Sequence, residues 1–232
     1  MRAGTFAQRV GAPVEQSTIS SLCNRTPMTK DDIGPQSMFI ARRQLGTAER
    51  VTEPVINPAT GVEVTTVPDG TAHDFDTAVN AAMPAFEGWA NTPPGERARW
   101  LSHVADHLNE HAEEFPQLGP MDVGKPTSGA GEETSFVMGK PRFFAGAGRA
   151  LEGWASAERI LCRTGMVRRD RLGIVGSAGS WKFPFGMAGW KIAPAPIAGN
   201  TLTIKPNELT PLSTLRLTEL AADLVPEGDS TS

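Results

Sequence analysis

The sequence predicts an α/β fold organised around a parallel strand crossover, and three observations carry that expectation. The last third alternates short β-rich runs with apolar segments of helical length, in the order strand, helix, strand, helix. Two earlier segments repeat apolar residues at helical spacing behind first-turn signals. A further β-rich stretch broken by Thr164-Gly165 reads as a hairpin. A strand–helix–strand connection in one sheet is right-handed. A parallel sheet also needs both faces covered and more than two strands. The 232 residues end before such strands appear, so a truncated sheet is expected.

The elements follow in chain order. Met1 to Pro27 (MRAGTFAQRVGAPVEQSTISSLCNRTP) has no sustained periodicity and is rich in Ser, Thr, Gly and Pro. Glu15 and weak amphipathicity argue against a transit peptide. Residues 1–37 are therefore expected to be a disordered N-terminal extension, with Met28 available as an alternative start, and residues 38–232 the folded unit. Thr71 to Asp74 reads as a capping box, followed by Phe75, Ala78, Val79, Ala82 and Phe86 at helical spacing. Pro94 opens a second helix whose apolar stripe is Leu101, Val104, Ala105, Leu108 and Ala112. Arg159–Arg169 is the expected hairpin. Leu172–Ser177 reads as a buried strand, Phe185–Ala198 as one helix, and Thr201–Ile204 as the second strand. Thr210 is the expected N-cap of a last helix, with Pro211 at its first position and Leu212, Leu215 and Leu220 continuing it.

Composition bounds the function. The chain is 39% hydrophobic and 21% charged, ordinary for a globular protein, and its net charge of −4 leaves no basic footprint for nucleic acid. No apolar run is long enough to span a bilayer. The two cysteines, Cys23 and Cys162, lie far apart without a partner motif, which points to the reducing cytoplasm. There is no tyrosine to serve as acid or base.

His103, His107 and His111 lie four apart on the second helix, a spacing that can place two imidazoles on one metal. Each flanks the apolar stripe, where solvated polar groups usually sit, and HExxH is absent, so no metal site is expected. Gly173, Gly176 and Gly179 spell GxxGxxG rather than a dinucleotide fingerprint, and small residues at a strand end usually serve a tight turn.

Several longer motifs occur in one order. They are INPATG at Ile56–Gly61, DVGKP at Asp122–Pro126, FFAGAGRALEG at Phe143–Gly153 and MVRRDRLGIVG at Met166–Gly176, followed by WKIAP and AGNTLTIKPNELTP. Together, from about Phe39 to Gly228, they resemble the NAD(P)-dependent aldehyde dehydrogenases. The FFAGA and MVRRD stretches look most like the γ-aminobutyraldehyde members. The resemblance implies an aldehyde-dehydrogenase-like α/β fold: an incomplete Rossmann-like NAD-binding domain with part of the oligomerisation hairpin. It also implies a reaction, aldehyde plus NAD and water to carboxylic acid and NADH, with 4-aminobutanal as a candidate substrate. In that family a cysteine thiolate attacks the aldehyde, an Asn amide and a backbone N–H hold the oxyanion, and a glutamate activates water.

Carried over residue by residue, the family's KPxE motif falls on Lys205, Pro206, Asn207 and Glu208. Lys205 and Glu208 would hold the adenosine ribose. A carboxylate there accepts both ribose hydroxyls and repels a 2′-phosphate, favouring NAD over NADP. Gly179, Ser180 and Trp181 match the turn beside the cofactor, and Lys191 matches a lysine given a charge-relay role. The family's Pro-Trp-Asn-Phe-Pro reads Ser180-Trp181-Lys182-Phe183-Pro184 here, so Lys182 stands where the family has its oxyanion asparagine. An ammonium on a flexible stem is a poor substitute for an amide, and losing one oxyanion donor costs about 10²–10³ in turnover.

The resemblance places the nucleophilic Cys and the general-base Glu beyond residue 232. Neither Cys23, in the irregular tail, nor Cys162, in the hairpin, matches the nucleophile, so the 232 residues are expected to be catalytically inactive. The proline placement agrees. Pro84, Pro116, Pro141 and Pro196 fall in or near helical patterns, and three truly interior ones would cost about 9 kcal/mol at ~3 kcal/mol each. That rivals the roughly 5–15 kcal/mol that holds a domain together. An alternative role is a non-catalytic partner docking through the hairpin onto full-length relatives, as a homo- or hetero-oligomer.

Overall fold

A computed structural model of the protein describes residues 33–222 and 224, except 41, 42 and 49 and the side chains of 154–160. Cys23 and most of the expected extension lie outside the described residues. Residues 33–37 of it are described and make contacts with the folded unit. Ile33 is buried, Gln36 N–H donates to the Thr66 carbonyl at 3.0 Å, and Thr65 Oγ1 donates to the Gly34 carbonyl at 2.9 Å.

Two antiparallel pairs come first: β1 (Met38–Ile40) with β2 (Arg43–Leu45), and β3 (Thr52–Ile56) with β4 (Glu63–Pro68). The INPATG segment is the turn between β3 and β4, closed by Gly61 N–H to the Asn57 carbonyl at 2.8 Å with Gly61 at φ 69. Helix α1 (Ala72–Asn91) carries the expected capping box in full. Most of its apolar stripe is half-buried, and Phe75 is exposed. Helix α2 (Pro94–Glu110) begins at Pro94 as expected. Its buried stripe is Leu101, Val104, Ala105 and Leu108, while Ala112 lies just past its end.

The prolines break less than their positions suggest. Helix α1 runs through Pro84. Both Pro84 and Asn80, whose carbonyl the ring frees, face solvent, where water can take the lost bond. Pro116 opens a new helix, α3 (Phe115–Val123), in the first turn, where a missing N–H costs little. Helix α4 (Thr127–Arg149) runs through Pro141, carried by burial of Val137, Met138 and Ala145.

The hairpin is present with its turn displaced. β5 (Trp154–Ile160) pairs with β6 (Arg163–Val167), and the connection is Leu161-Cys162 rather than Thr164-Gly165. Thr164 and Gly165 pair within the ladder, opposite Glu158 and Ala157, and Cys162 supplies the positive φ of 63 that a tight turn demands.

The parallel crossover forms as predicted, but its first strand, expected to be buried over Leu172–Ser177, begins at Ile174 and is only half-buried, with Leu172 89% exposed. β7 (Ile174–Ala178) runs parallel to β8 (Thr201–Lys205), with Ile174 opposite Thr201 and Ala178 opposite Lys205. The single helix expected over 185–198 is two: α5 (Pro184–Ile192) and α6 (Pro194–Ile197). Ala193 keeps helical geometry at φ −91 and ψ −45, but Pro194 lacks the N–H that would continue the ladder. Pro196 therefore sits in a short first turn. Helix α7 (Leu212–Ala222) closes the described chain. The core gathers α2, α3, α4, α5 and α7 through Leu101, Leu108, Phe115, Val137, Phe185, Leu212 and Leu217. Phe115 and Phe185 stack with centroids 4.2 Å apart and planes within 9°.

Candidate functional site

The carboxyl ends of β7 and β8 release two loops that lie against each other. Gly179 N–H donates to the Lys205 carbonyl at 2.7 Å. A Cβ at 179 would fall 2.9 Å from the Asn207 nitrogen and 3.1 Å from Pro206 Cα, so only glycine permits this approach. Ser180 Oγ accepts the Lys182 N–H at 3.2 Å, and Thr210 Oγ1 donates to the Trp181 carbonyl at 3.4 Å. Trp181 is left 60% exposed, its ring on the surface of the turn.

On the β8 side, Pro206 ends the strand and the Asn207 side chain accepts the Leu209 N–H at 3.0 Å, folding the loop back. This brings Lys205 Nζ to 2.7 Å from Glu208 Oε2, with both side chains about three-fifths exposed. The hydrogen bond from Lys205 holds the Glu208 carboxyl below its usual range. The structure thus brings together all seven residues expected around the cofactor: Gly179, Ser180 and Trp181 on one loop, and Lys205 to Glu208 on the other.

The two lysines expected near the chemistry differ in setting. Lys182 is exposed on the turn, with Nζ 5.9 Å from the Phe183 ring centroid. Lys191, in the last turn of α5, donates its ammonium to the Ala178 carbonyl at the end of β7. It braces the strand end. Phe183 holds φ 51 and ψ 52 just before Pro184, a left-handed conformation costing a residue with a side chain roughly 1–2 kcal/mol.

Two carboxylates that local patterns did not single out organise this edge. Asp122 on α3 is 1% exposed and accepts the Leu212 and Ser213 N–H groups at 3.3 and 3.2 Å, and the Ser213 hydroxyl at 3.2 Å. It, and not Thr210, caps α7. Burial pushes its carboxyl up to about 6 despite these donors. Glu133 on α4 accepts the Gly186 N–H at 2.8 Å and pairs with Lys125. Asp122 lies inside DVGKP and could have been suspected on that ground. Glu133 sits in an ordinary charged helical stretch and offers no local signal.

Two of the three histidines lie against nearby carboxylates. His107 Nδ1 lies 3.3 Å from Glu110 and His111 Nδ1 2.7 Å from Glu114, while His103 is exposed. Among the described residues no group of three or more His, Cys, Asp or Glu could hold a metal ion, and no helix is long and apolar enough to cross a membrane. Cys162 lies in the exposed hairpin turn.

A parallel β–α–β crossover with polar loops gathered at the carboxyl ends of its strands is the geometry of nucleotide-binding α/β domains. Comparison with known proteins makes this specific. The model of the aldehyde dehydrogenase family matches residues 46–229, and the chain belongs to that family. It is 40% identical over 173 residues to the fluoroacetaldehyde dehydrogenase of Streptantibioticus cattleyicolor, covering 74% of this chain and 34% of that protein. Among solved structures it is similar to an NAD-dependent aldehyde dehydrogenase from Sinorhizobium meliloti (TM-score 0.77, 33% identity, 84% of this chain and 40% of that one). It is equally similar to the betaine aldehyde dehydrogenase of Staphylococcus aureus solved in complex with NAD+ (TM-score 0.77, 30% identity, the same coverages). The chain spans about a third of the curated relatives it matches, and about two-fifths of these structures.

Proposed function

We propose that this chain, from the packed residues at Ile33 onward, is the adenosine-binding part of an NAD-dependent aldehyde dehydrogenase. The observation that carries the reading is the Lys205–Glu208 pair on the loop after β8, set against the glycine-tight turn of Gly179. A ribose diol needs an acceptor and a donor side by side on an open edge. Glu208 offers the acceptor, kept ionised by Lys205, and Lys205 the donor. The exposed face of Trp181 supplies an apolar wall beside them. A 2′-phosphate would meet the Glu208 carboxylate, so NAD is preferred over NADP. NAD, when bound, supplies the electron acceptor for oxidation of an aldehyde to its acid.

By the same reading the described residues do not turn over aldehyde by themselves. Lys182 stands where the family has its oxyanion amide, and Cys162 sits in the hairpin turn. 4-Aminobutanal is the proposed substrate class of the parent reaction, on the strength of the Phe143–Gly153 and Met166–Gly176 stretches, and the cytoplasm the proposed compartment. The test is calorimetric titration with NAD and NADP, followed by NADH absorbance in the presence of 4-aminobutanal. The expected result is NAD binding without turnover. Absence of NAD binding overturns the ribose site, and turnover well above a blank overturns the inactivity.

A second reading is favoured by the hairpin. Leu161, Met166 and Val167 are 87%, 77% and 51% exposed on it. Such an apolar tip fits docking onto a full-length aldehyde dehydrogenase as a non-catalytic partner. Co-purification supports that role, and a clean negative removes it.

A further inference from the structure

Glu133 has a side chain only 10% exposed, and its two oxygens serve different partners. Oε1 accepts the Gly186 N–H at 2.8 Å in the first turn of α5. Oε2 pairs with the Lys125 ammonium, itself 14% exposed, whose Nζ lies 4.1 Å from the Phe183 ring centroid. The fit around the carboxylate is close: a Cβ at Gly186 would fall 2.9 Å from Oε1.

The turn from Gly179 to Phe183 is held at three points. Gly179 N–H is tied to the Lys205 carbonyl, and the Trp181 carbonyl to Thr210 Oγ1, both on the β8 loop. The third hold is at Phe183 and the start of α5, where Lys125 lies over the Phe183 ring, Glu133 accepts the Gly186 N–H, and Thr214 Oγ1 donates to the Pro184 carbonyl at 3.5 Å. That is also where the backbone occupies its left-handed conformation, φ 51, which persists only when its surroundings over-determine it. A buried carboxylate that caps the following helix and fixes a cation over the strained residue's ring is such a surrounding.

We propose that Glu133, acting through Lys125 and the Gly186 amide, is a positioning residue. It holds the Gly179–Phe183 turn, and with it Trp181 and Lys182, against the Lys205–Glu208 loop. The consequence for ligand affinity rests on the cofactor reading above, whereas the consequence for Trp181 does not.

The test labels the full chain with fluorotryptophan. The Trp181 resonance is assigned by its loss in Trp181→Phe and compared in Glu133→Gln, Lys125→Met and Gly186→Ala. In Glu133→Gln the amide oxygen still accepts the Gly186 N–H, so the helix cap survives and only the ion pair is lost. A merely structural cap therefore leaves Trp181 unmoved. The expected result is a shifted and broadened Trp181 resonance in Glu133→Gln and Lys125→Met, with the Trp89 and Trp100 resonances unchanged. NAD affinity should fall about threefold to tenfold in the same variants. Gly186→Ala, which displaces the carboxylate by contact, gives the same signature and decides the matter where Glu133→Gln does not fold. A Trp181 resonance unchanged in folded Lys125→Met and in Glu133→Gln or Gly186→Ala overturns the proposal. If the parent chain binds no NAD, the cofactor reading fails alone, and the Trp181 resonance still decides the role of Glu133.

Discussion

Glu208 and Lys205 illustrate how much one short loop can do. They are three residues apart, and the turn built by Pro206 and Asn207 brings their charged ends to 2.7 Å. Because the pair is well exposed, its own worth to stability is small. What it contributes is an ionised carboxylate at a defined place. Glu208→Gln keeps the shape and removes the charge, exchanging charge-assisted hydrogen bonds for neutral ones. NAD affinity is expected to fall about tenfold and the gap between NAD and NADP to narrow, as read by calorimetry. The seven residues around this loop pair were picked out by their likeness to the family's motifs. The contacts that join the two loops, Gly179 N–H to the Lys205 carbonyl and Thr210 Oγ1 to the Trp181 carbonyl, nevertheless link distant parts of the chain. Glu133 was not picked out: it lies in an ordinary charged helical stretch, and its partners Lys125 and Gly186 lie 8 and 53 residues distant.

Among the elements, α1 shows a local signal read correctly. Thr71 N–H donates to Asp74 Oδ2 at 3.0 Å, and Thr71 Oγ1 accepts the Asp74 N–H at 3.2 Å. Hydrogen bonds from Thr71, with Arg50 alongside, hold the Asp74 carboxyl down at about 2. A carboxyl depressed on folding stabilises the fold above its ordinary range, and that contribution is lost as pH falls toward about 2. Thr71→Ala is expected to cost about 1 kcal/mol at neutral pH. It should also weaken the loss of stability on acidification, which urea unfolding at pH 7 and pH 3 would show. The last helix is the counterexample. Thr210 and Pro211 are good start signals, yet the acceptor for its first amides comes from Asp122, 90 residues earlier.

Across the whole molecule, Asp122 and Glu133 make one arrangement. The helix pair α3 and α4 supplies a carboxylate to the first turn of each helix that follows a strand of the parallel pair. Negative charge at a helix N-terminus is favourable, and this ties the helical layer to the crossover. The Asp122 carboxyl, raised from 3.8 to about 6 by burial, has the opposite pH sign from Asp74. Between about pH 4 and 6 the folded protein holds a proton that the unfolded chain has lost, so stability falls as pH rises through that window. Asp122→Asn is expected to flatten this slope while lowering stability by about 1–3 kcal/mol, because one amide hydrogen then faces the N–H groups. Urea midpoints measured across the window check both effects.

The sequence by itself determined the α/β class, the parallel crossover and the α1 capping box, and its motif order resembled that of the aldehyde dehydrogenases. The elements rest on short-range chemistry, apolar periodicity or a cap three residues away, and the family likeness rests on whole motifs. The tertiary structure decided the rest. It moved the hairpin turn onto Cys162, carried α1 and α4 through their prolines, bound Ile33 into the core, and assigned the caps of α5 and α7 to distant carboxylates. These outcomes depend on which surfaces are buried together, and burial is a property of the packed chain that no local window contains.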